Sequence, residues 1–243
     1  MKDIQFKIVV KLRLGLPLPG IAANIKCICS NEPILDKYGH HIICCPTRPF
    51  RITRHNKCKE FFESTASRAG DKVYDEDRRH ICEDVLNLNR TNIKNIVPDF
   101  TTCSNDRPEQ AYDVTIVHPK AGSTNIYTAE AVKVRKYQEE LAKNDIQFFA
   151  LPMDTYGQLH SNVIKFIKTK SAAIAAKHGG YASVIANYLF CRLSVILQAA
   201  NADMILDKVS HIAHKRSRNL YAHFAPHQDA LDTAIASLDA RAN

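Results

Sequence analysis

Four groups of residues near the middle of the chain carry its chemistry: Glu76, Pro98-Asp99, Asp113-Val114-Thr115, and Lys133 with Tyr137 four residues on. Carboxylates are hard oxygen ligands that suit magnesium or manganese, and such a cation makes bound water acidic and polarises a phosphoryl oxygen. A nearby lysine offsets the charge that develops on a phosphate under attack. Asp99 and Asp113 therefore read as the metal-holding pair, Glu76 as a third, supporting carboxylate with Asp75 and Asp77 as its immediate rivals, and Lys133 as the cationic stabiliser. Tyr137 lies one helical turn beyond Lys133, placed to orient it or to touch substrate.

These groups need elements to position them. Proline is tolerated at a strand edge, so Pro98 places Asp99 at one. In Asp113-Val114-Thr115-Ile116-Val117 the period-two alternation puts Asp113 and Thr115 on one face and Val114 and Ile116 on the other. The position two residues after the second carboxylate, where such sites usually carry lysine, is Thr115, so the amine must come from Lys133 on the following helix. The remaining pattern predicts a helix over Arg54–Ala69 closed by Gly70, and strands over Lys72–Asp75, Ile96–Thr101 and Tyr112–Val117. It then predicts a helix over Thr128–Ala142 with Ala129, Lys133 and Tyr137 in register, and a strand over Ile146–Leu151. From about Gly157 the chain reads as helical, with breaks near Gly179-Gly180 and Ala199–Asn201 and a loose tail rich in Ala and Asp.

Ahead of this unit lies a basic, apolar lead, Lys11 to Gly20, and then Cys27-Ile28-Cys29, eleven residues, and His41-Ile42-Ile43-Cys44-Cys45. Two close pairs of soft ligands across a short loop fit tetrahedral zinc. Cys27, Cys29, His41 and Cys45 are the preferred set. His40 with Cys44 has the same spacing, so the second pair stays open. Four of the eight cysteines fall in this stretch, and with no secretion signal evident, metal binding is a better reading than a disulfide framework.

The chain has 243 residues, 45% of them hydrophobic, and a formal charge of +8. Lys and Arg against Asp and Glu count 11 to 4 over residues 1–60, 12 to 16 over 61–160, and 9 to 2 over 161–220. An acidic centre between basic flanks suits a metal held in the middle and a polyanion gripped at the sides. Arg51, Arg54, His55 and Asn56 are the expected nucleic-acid contacts, within a basic run that also contains Arg48, Lys57 and Lys59. The apolar stretch Tyr181–Ala200 is interrupted by Asn187, Arg192 and Gln198, which suits an amphipathic helix better than a bilayer span. The expectation is a protein that is not secreted and not in a membrane, in the nucleus or cytoplasm with the nucleus favoured.

In the order zinc knuckle (Cys27, Cys29, His41, Cys45), Arg54-His55-Asn56, Gly70, Glu76, Pro98-Asp99-Phe100, Asp113-Val114-Thr115, then Ala129, Lys133 and Tyr137, the chain resembles the restriction-like endonuclease region of non-LTR retrotransposon proteins, a PD-(D/E)XK type. The resemblance covers about residues 12 to 140. It implies an α/β fold with a restriction-endonuclease-like mixed sheet flanked by helices, an N-terminal zinc knuckle and a helical C-terminal tail. The corresponding parts are 1–48 (lead and knuckle), 49–152 (nuclease core) and 153–243 (helical region). It further implies magnesium- or manganese-dependent nicking of DNA, with Asp99 and Asp113 as principal ligands, Glu76 accessory, Lys133 the catalytic lysine and Tyr137 its partner. DNA, element RNA and a reverse transcriptase are the implied partners. The alternative is an inactive zinc-containing nucleic-acid-binding module of the same origin.

Overall fold

The computed structural model describes residues 1–21, 25–27, 29, 33–46, 50–75, 97–104, 107–119 and 125–221. The chain divides into two compact units, Met1–Ile205 and Leu206–Asn243. In order along the chain are helices α1 (Asp3–Arg13), α2 (His40–Cys44) and α3 (Phe50–Ala69), strands β1 (Lys72–Asp75), β2 (Phe100–Ser104) and β3 (Arg107–Val117), helix α4 (Ile126–Ala142), strand β4 (Gln147–Asp154), and helices α5 (Ser161–His178) and α6 (Ala182–Tyr221). The protein is mixed α/β.

Its sheet is four-stranded in the order β1-β2-β3-β4. The first two pairings are antiparallel, whereas β3 and β4 run parallel, joined by the crossover helix α4. A parallel pair needs such a crossover because no tight turn can reverse the chain twice.

The alternation expected for β3 holds. Tyr112 and Val114 enter the large core with Phe61 and Phe62 of α3, Phe166 and Ile167 of α5, and Leu189 and Leu193 of α6. Ala111 joins Tyr137, Leu141, Ile146 and Phe148 on the opposite face, under α4. The large core is ordered by aromatic geometry: Phe100 stacks on Tyr112 at 4.9 Å between ring centroids, and Phe166 meets Tyr112 edge-on at 5.2 Å. Such pairs add about 0.5–1.5 kcal/mol each beyond their buried area.

Several boundaries differ from the pattern. α3 begins at Phe50, four residues early. β2 begins at Phe100 rather than Ile96, because Pro98 brings no N–H to the ladder. β3 reaches back to Arg107, closing a hairpin with β2 through the pair Ser104 and Arg107. The break expected near Ala199–Asn201 does not occur, and α6 runs through it. There Asn201 and Gln198 are buried, and both side-chain amides donate to the Thr155 carbonyl, at 2.8 and 3.1 Å. Tertiary hydrogen bonds satisfy the polar groups that read as a turn. The break at Gly179-Gly180 is real, with both glycines at positive φ. The expected loose tail beyond residue 221 lies outside the described residues.

Candidate metal centre and carboxylate site

The knuckle is built by a short antiparallel bridge, Lys26 to Ile34, in which the Cys27 N–H donates to the Pro33 carbonyl at 2.8 Å. Asp36 then starts α2: its carboxylate accepts the backbone N–H groups of Tyr38, His40 and His41 at 3.0–3.1 Å. Burial would raise the Asp36 carboxyl, but these donors hold it below its usual range. Gly39 turns the chain at φ +78°, a conformation that strains other residues, and a Cβ there would lie 2.5 Å from Leu18 Cδ1.

The result resolves the ambiguity of the second ligand pair. The ligand atoms of Cys27, Cys29, His41 and Cys45 all lie within 4.8 Å of one another, and the three thiols are buried. Cys27 Sγ is 3.7 Å from Cys45 Sγ, and Cys29 Sγ is 3.5 Å from His41 Nε2. Bonds of about 2.3 Å at the tetrahedral angle separate two sulfurs by about 3.8 Å, close to the spacing of Cys27 and Cys45, so the cluster could hold zinc. His40 points elsewhere. Its Nδ1 lies 3.2 Å from both His118 Nε2 and the Tyr156 hydroxyl, tying the knuckle to the ends of β3 and β4.

The second cluster forms where β3 outruns β2. Pairing ends at Phe100 with Tyr112, and the Asp99 N–H adds one more bond to the Tyr112 carbonyl at 2.9 Å. Beyond it the Val114 N–H donates to Asp99 Oδ2 at 2.6 Å, and His55 Nε2 lies 3.0 Å from both that oxygen and the Val114 carbonyl. Facing two acceptors, Nε2 must carry a hydrogen. The bond to Asp99 raises the His55 pKa, against burial.

Asp113 is buried on the α4 face. Lys133 Nζ pairs with its Oδ1 at 2.8 Å, and the Thr115 hydroxyl donates to the same oxygen at 3.2 Å. Burial and the charge of Asp99 push the Asp113 carboxyl up, and Lys133 and Tyr137 only partly reverse this. A buried carboxyl whose ionisation a neighbouring carboxylate makes harder is the electrostatic mark of a site that favours a cation. Tyr137 lies over the Val97 carbonyl at 3.2 Å and receives a hydrogen bond from Lys136 Nζ at 2.9 Å. Burial, then Asp113, keeps its phenol protonated well above the usual range.

Asp99, Asp113, Lys133 and Tyr137 are therefore brought together. Glu76 and its rival Asp77 lie outside the described residues, as do Arg48 and Cys82. The other rival, Asp75, accepts from Lys59 Nζ at 2.6 Å.

A cleft of about 460 Å³ adjoins the cluster, lined by Pro46, Arg51, Ile52, Arg54, His55, Val114, Thr115, Ile116 and Lys133. Of the expected nucleic-acid contacts, Arg51 and Asn56 are exposed and His55 binds Asp99. Arg54 is buried: Nη1 donates to Asn201 Oδ1 at 2.8 Å and to the Ile43 carbonyl at 3.4 Å, while Nε has no partner among the described residues. Burial lowers its pKa to about 10. Lys57 pairs with Asp203 at 3.2 Å, so this basic run serves packing as well as surface charge.

Sequence reasoning missed the His55–Asp99 bond and the role of Lys136. The available signal for Lys136 was its position three residues after Lys133, on the same side of α4. No protein-family model matches the chain, and no curated protein matches it.

Proposed function

We propose that the chain is a magnesium- or manganese-dependent endonuclease that nicks DNA by hydrolysing a phosphodiester, with a zinc-stabilised knuckle beside its cleft. The observation that carries this reading is the convergence of Asp99, Asp113 and Lys133 at the open edge of β3, beside a cleft whose lining, among the described residues, includes Arg51, Arg54, His55 and Lys133 and no carboxylate. The succession α3-β1-β2-β3-α4-β4, with its mixed sheet, supports the restriction-endonuclease-like reading of the core. A divalent cation bound there supplies Lewis-acid activation of water and of the phosphate. Asp99 and Asp113 hold it, the Val114 N–H and Thr115 hydroxyl fix the two carboxylates, and Lys133 stabilises negative charge on the transferring phosphate. Tyr137 stays protonated and orients the Asp113–Lys133 pair. Arg51 and the basic flanks attract the duplex, with affinity that falls steeply as salt rises.

One observation favours a second reading, an inactive zinc-containing nucleic-acid binder. Each carboxylate already has a basic partner within the protein, His55 for Asp99 and Lys133 for Asp113. Plasmid nicking with and without magnesium separates the two. The endonuclease reading expects nicking that needs the cation and is abolished by Asp99→Ala or Asp113→Ala, with DNA retention largely kept. DNA binding indifferent to magnesium, with no nicking, supports the binder.

A further inference from the structure

Between Tyr181 and Ala202 the helix α6 carries a single charge, Arg192. Its inner side is spent on the large core through Ala186, Leu189, Leu193 and Leu197. Its outer side is apolar as well: Val184, Tyr188 and Val195 are 62, 56 and 49% exposed with Cys191 exposed between them, and Tyr181, immediately before the helix, is 80% exposed. The intervals run three, four, three, four, the a/d spacing of a helix that packs on another helix. The next two positions of the repeat, Gln198 and Ala202, are buried inside the protein, so the exposed stripe ends where the chain's own packing takes over. A helix apolar on both sides needs cover on both sides.

We propose that this stripe is the seam of a homodimer, in which a second copy packs its own α6 antiparallel. The stripe is complementary to itself in that direction. Tyr188 falls opposite the partner's Cys191 and Val184 opposite the partner's Val195, so large meets small and medium meets medium in successive layers, whereas a parallel pairing stacks Tyr181 and Tyr188 on themselves. Of the flanking positions, Ile185, Asn187 and Ser194 are uncharged and Arg192 is the one cation. This face is therefore mainly apolar, although the chain as a whole is strongly basic. Two tyrosines, two valines and a cysteine so exposed offer on the order of 500 Å² per copy, about 1,000 Å² in a pair, the lower bound for a specific interface. The dimer is accordingly weak and reversible, with a dissociation constant of about micromolar order.

Sedimentation equilibrium of the full chain from low to high micromolar concentration tests this. The expected result is a monomer–dimer equilibrium weakened at least about tenfold by Tyr188→Glu and again by Val184→Lys, two exposed sites whose variants keep the wild-type melting temperature. A short bismaleimide should link two copies through Cys191, and Cys191→Ser should abolish the link. A monomer at every concentration overturns the proposal, as does a dimer indifferent to both variants. Binding of the monomer to neutral phosphatidylcholine vesicles assigns the stripe to lipid instead, in keeping with the length and hydropathy of Ala182–His214. A dimer that forms only after residues 222–243 are deleted assigns it to that segment of the same chain. Either result also rejects the homodimer.

Discussion

The knuckle and the carboxylate cluster are both candidate metal centres, and they differ in what the protein supplies without an ion. In the knuckle, three buried thiols and an imidazole bring their ligand atoms within 4.8 Å of one another. In the carboxylate cluster each acidic group already has a partner: His55 and the Val114 N–H on Asp99, Lys133 and Thr115 on Asp113. The knuckle is thus arranged to be finished by metal, whereas the carboxylate cluster holds together by itself and offers the metal a competing site. Zinc should then be a matter of folding, and magnesium a matter of activity.

The sharpest way to break that contrast is to remove zinc. Chelation, or Cys45→Ser, should cost the fold on the order of 10 kcal/mol of binding free energy, enough to unfold the segment around α2. Circular dichroism and protease sensitivity with and without chelator read this directly, and a melting temperature unmoved by chelation contradicts it. Next in size, Asp113→Asn should lower magnesium-dependent nicking by at least about a thousandfold, roughly 4 kcal/mol in the barrier, while thermal stability holds. Loss of fold in that variant would show that the second cluster is structural too.

Lys133→Met should lower nicking and also destabilise. It leaves Asp113 buried beside Asp99 without its cation, and breaking such a pair costs about 3–5 kcal/mol when fully buried, less here because Lys133 is partly exposed. Away from both centres, Asn201→Leu removes a partner of Arg54 and of the Thr155 carbonyl, and should cost about 1–3 kcal/mol in urea unfolding.

The smallest effect concerns pH. Burial, and then the charge of Asp75, raises the Glu63 carboxyl to about 7 from its usual 4.5. Between those values the folded protein keeps a proton that the unfolded chain has lost, so this group's contribution is full below about pH 4.5 and is lost as pH rises through about 7. Glu63→Gln should flatten the fall in stability between pH 5 and 8, which melts across that range would reveal.

How much of this was legible in the chain depends on range. Strand β1, the alternation of Asp113 through Val117 and the register of Lys133 with Tyr137 rest on local periodicity, and the fold reproduces them. The knuckle's ligand types were equally plain, but the choice of His41 over His40 was not. It depends on Asp36 capping α2 and on His118 and Tyr156 engaging His40, contacts that cross up to 116 residues. Asn201 read as a turn former because its partner, Thr155, is 46 residues away. Arg54 and His55 read as surface groups for nucleic acid. Their neighbours in space are Asn201 and Asp99, so one is buried and the other faces the carboxylate cluster.

The central claim is that Asp99 and Asp113 hold a divalent cation distinct from the knuckle's. Manganese titration of the zinc-loaded protein, followed by electron paramagnetic resonance, tests it most directly because manganese reports its own binding whatever the activity. One manganese per chain is expected, displaced by magnesium and lost in both Asp99→Asn and Asp113→Asn while zinc content stays the same. Absence of bound manganese in the wild-type protein, or binding unchanged by both substitutions, would contradict the account.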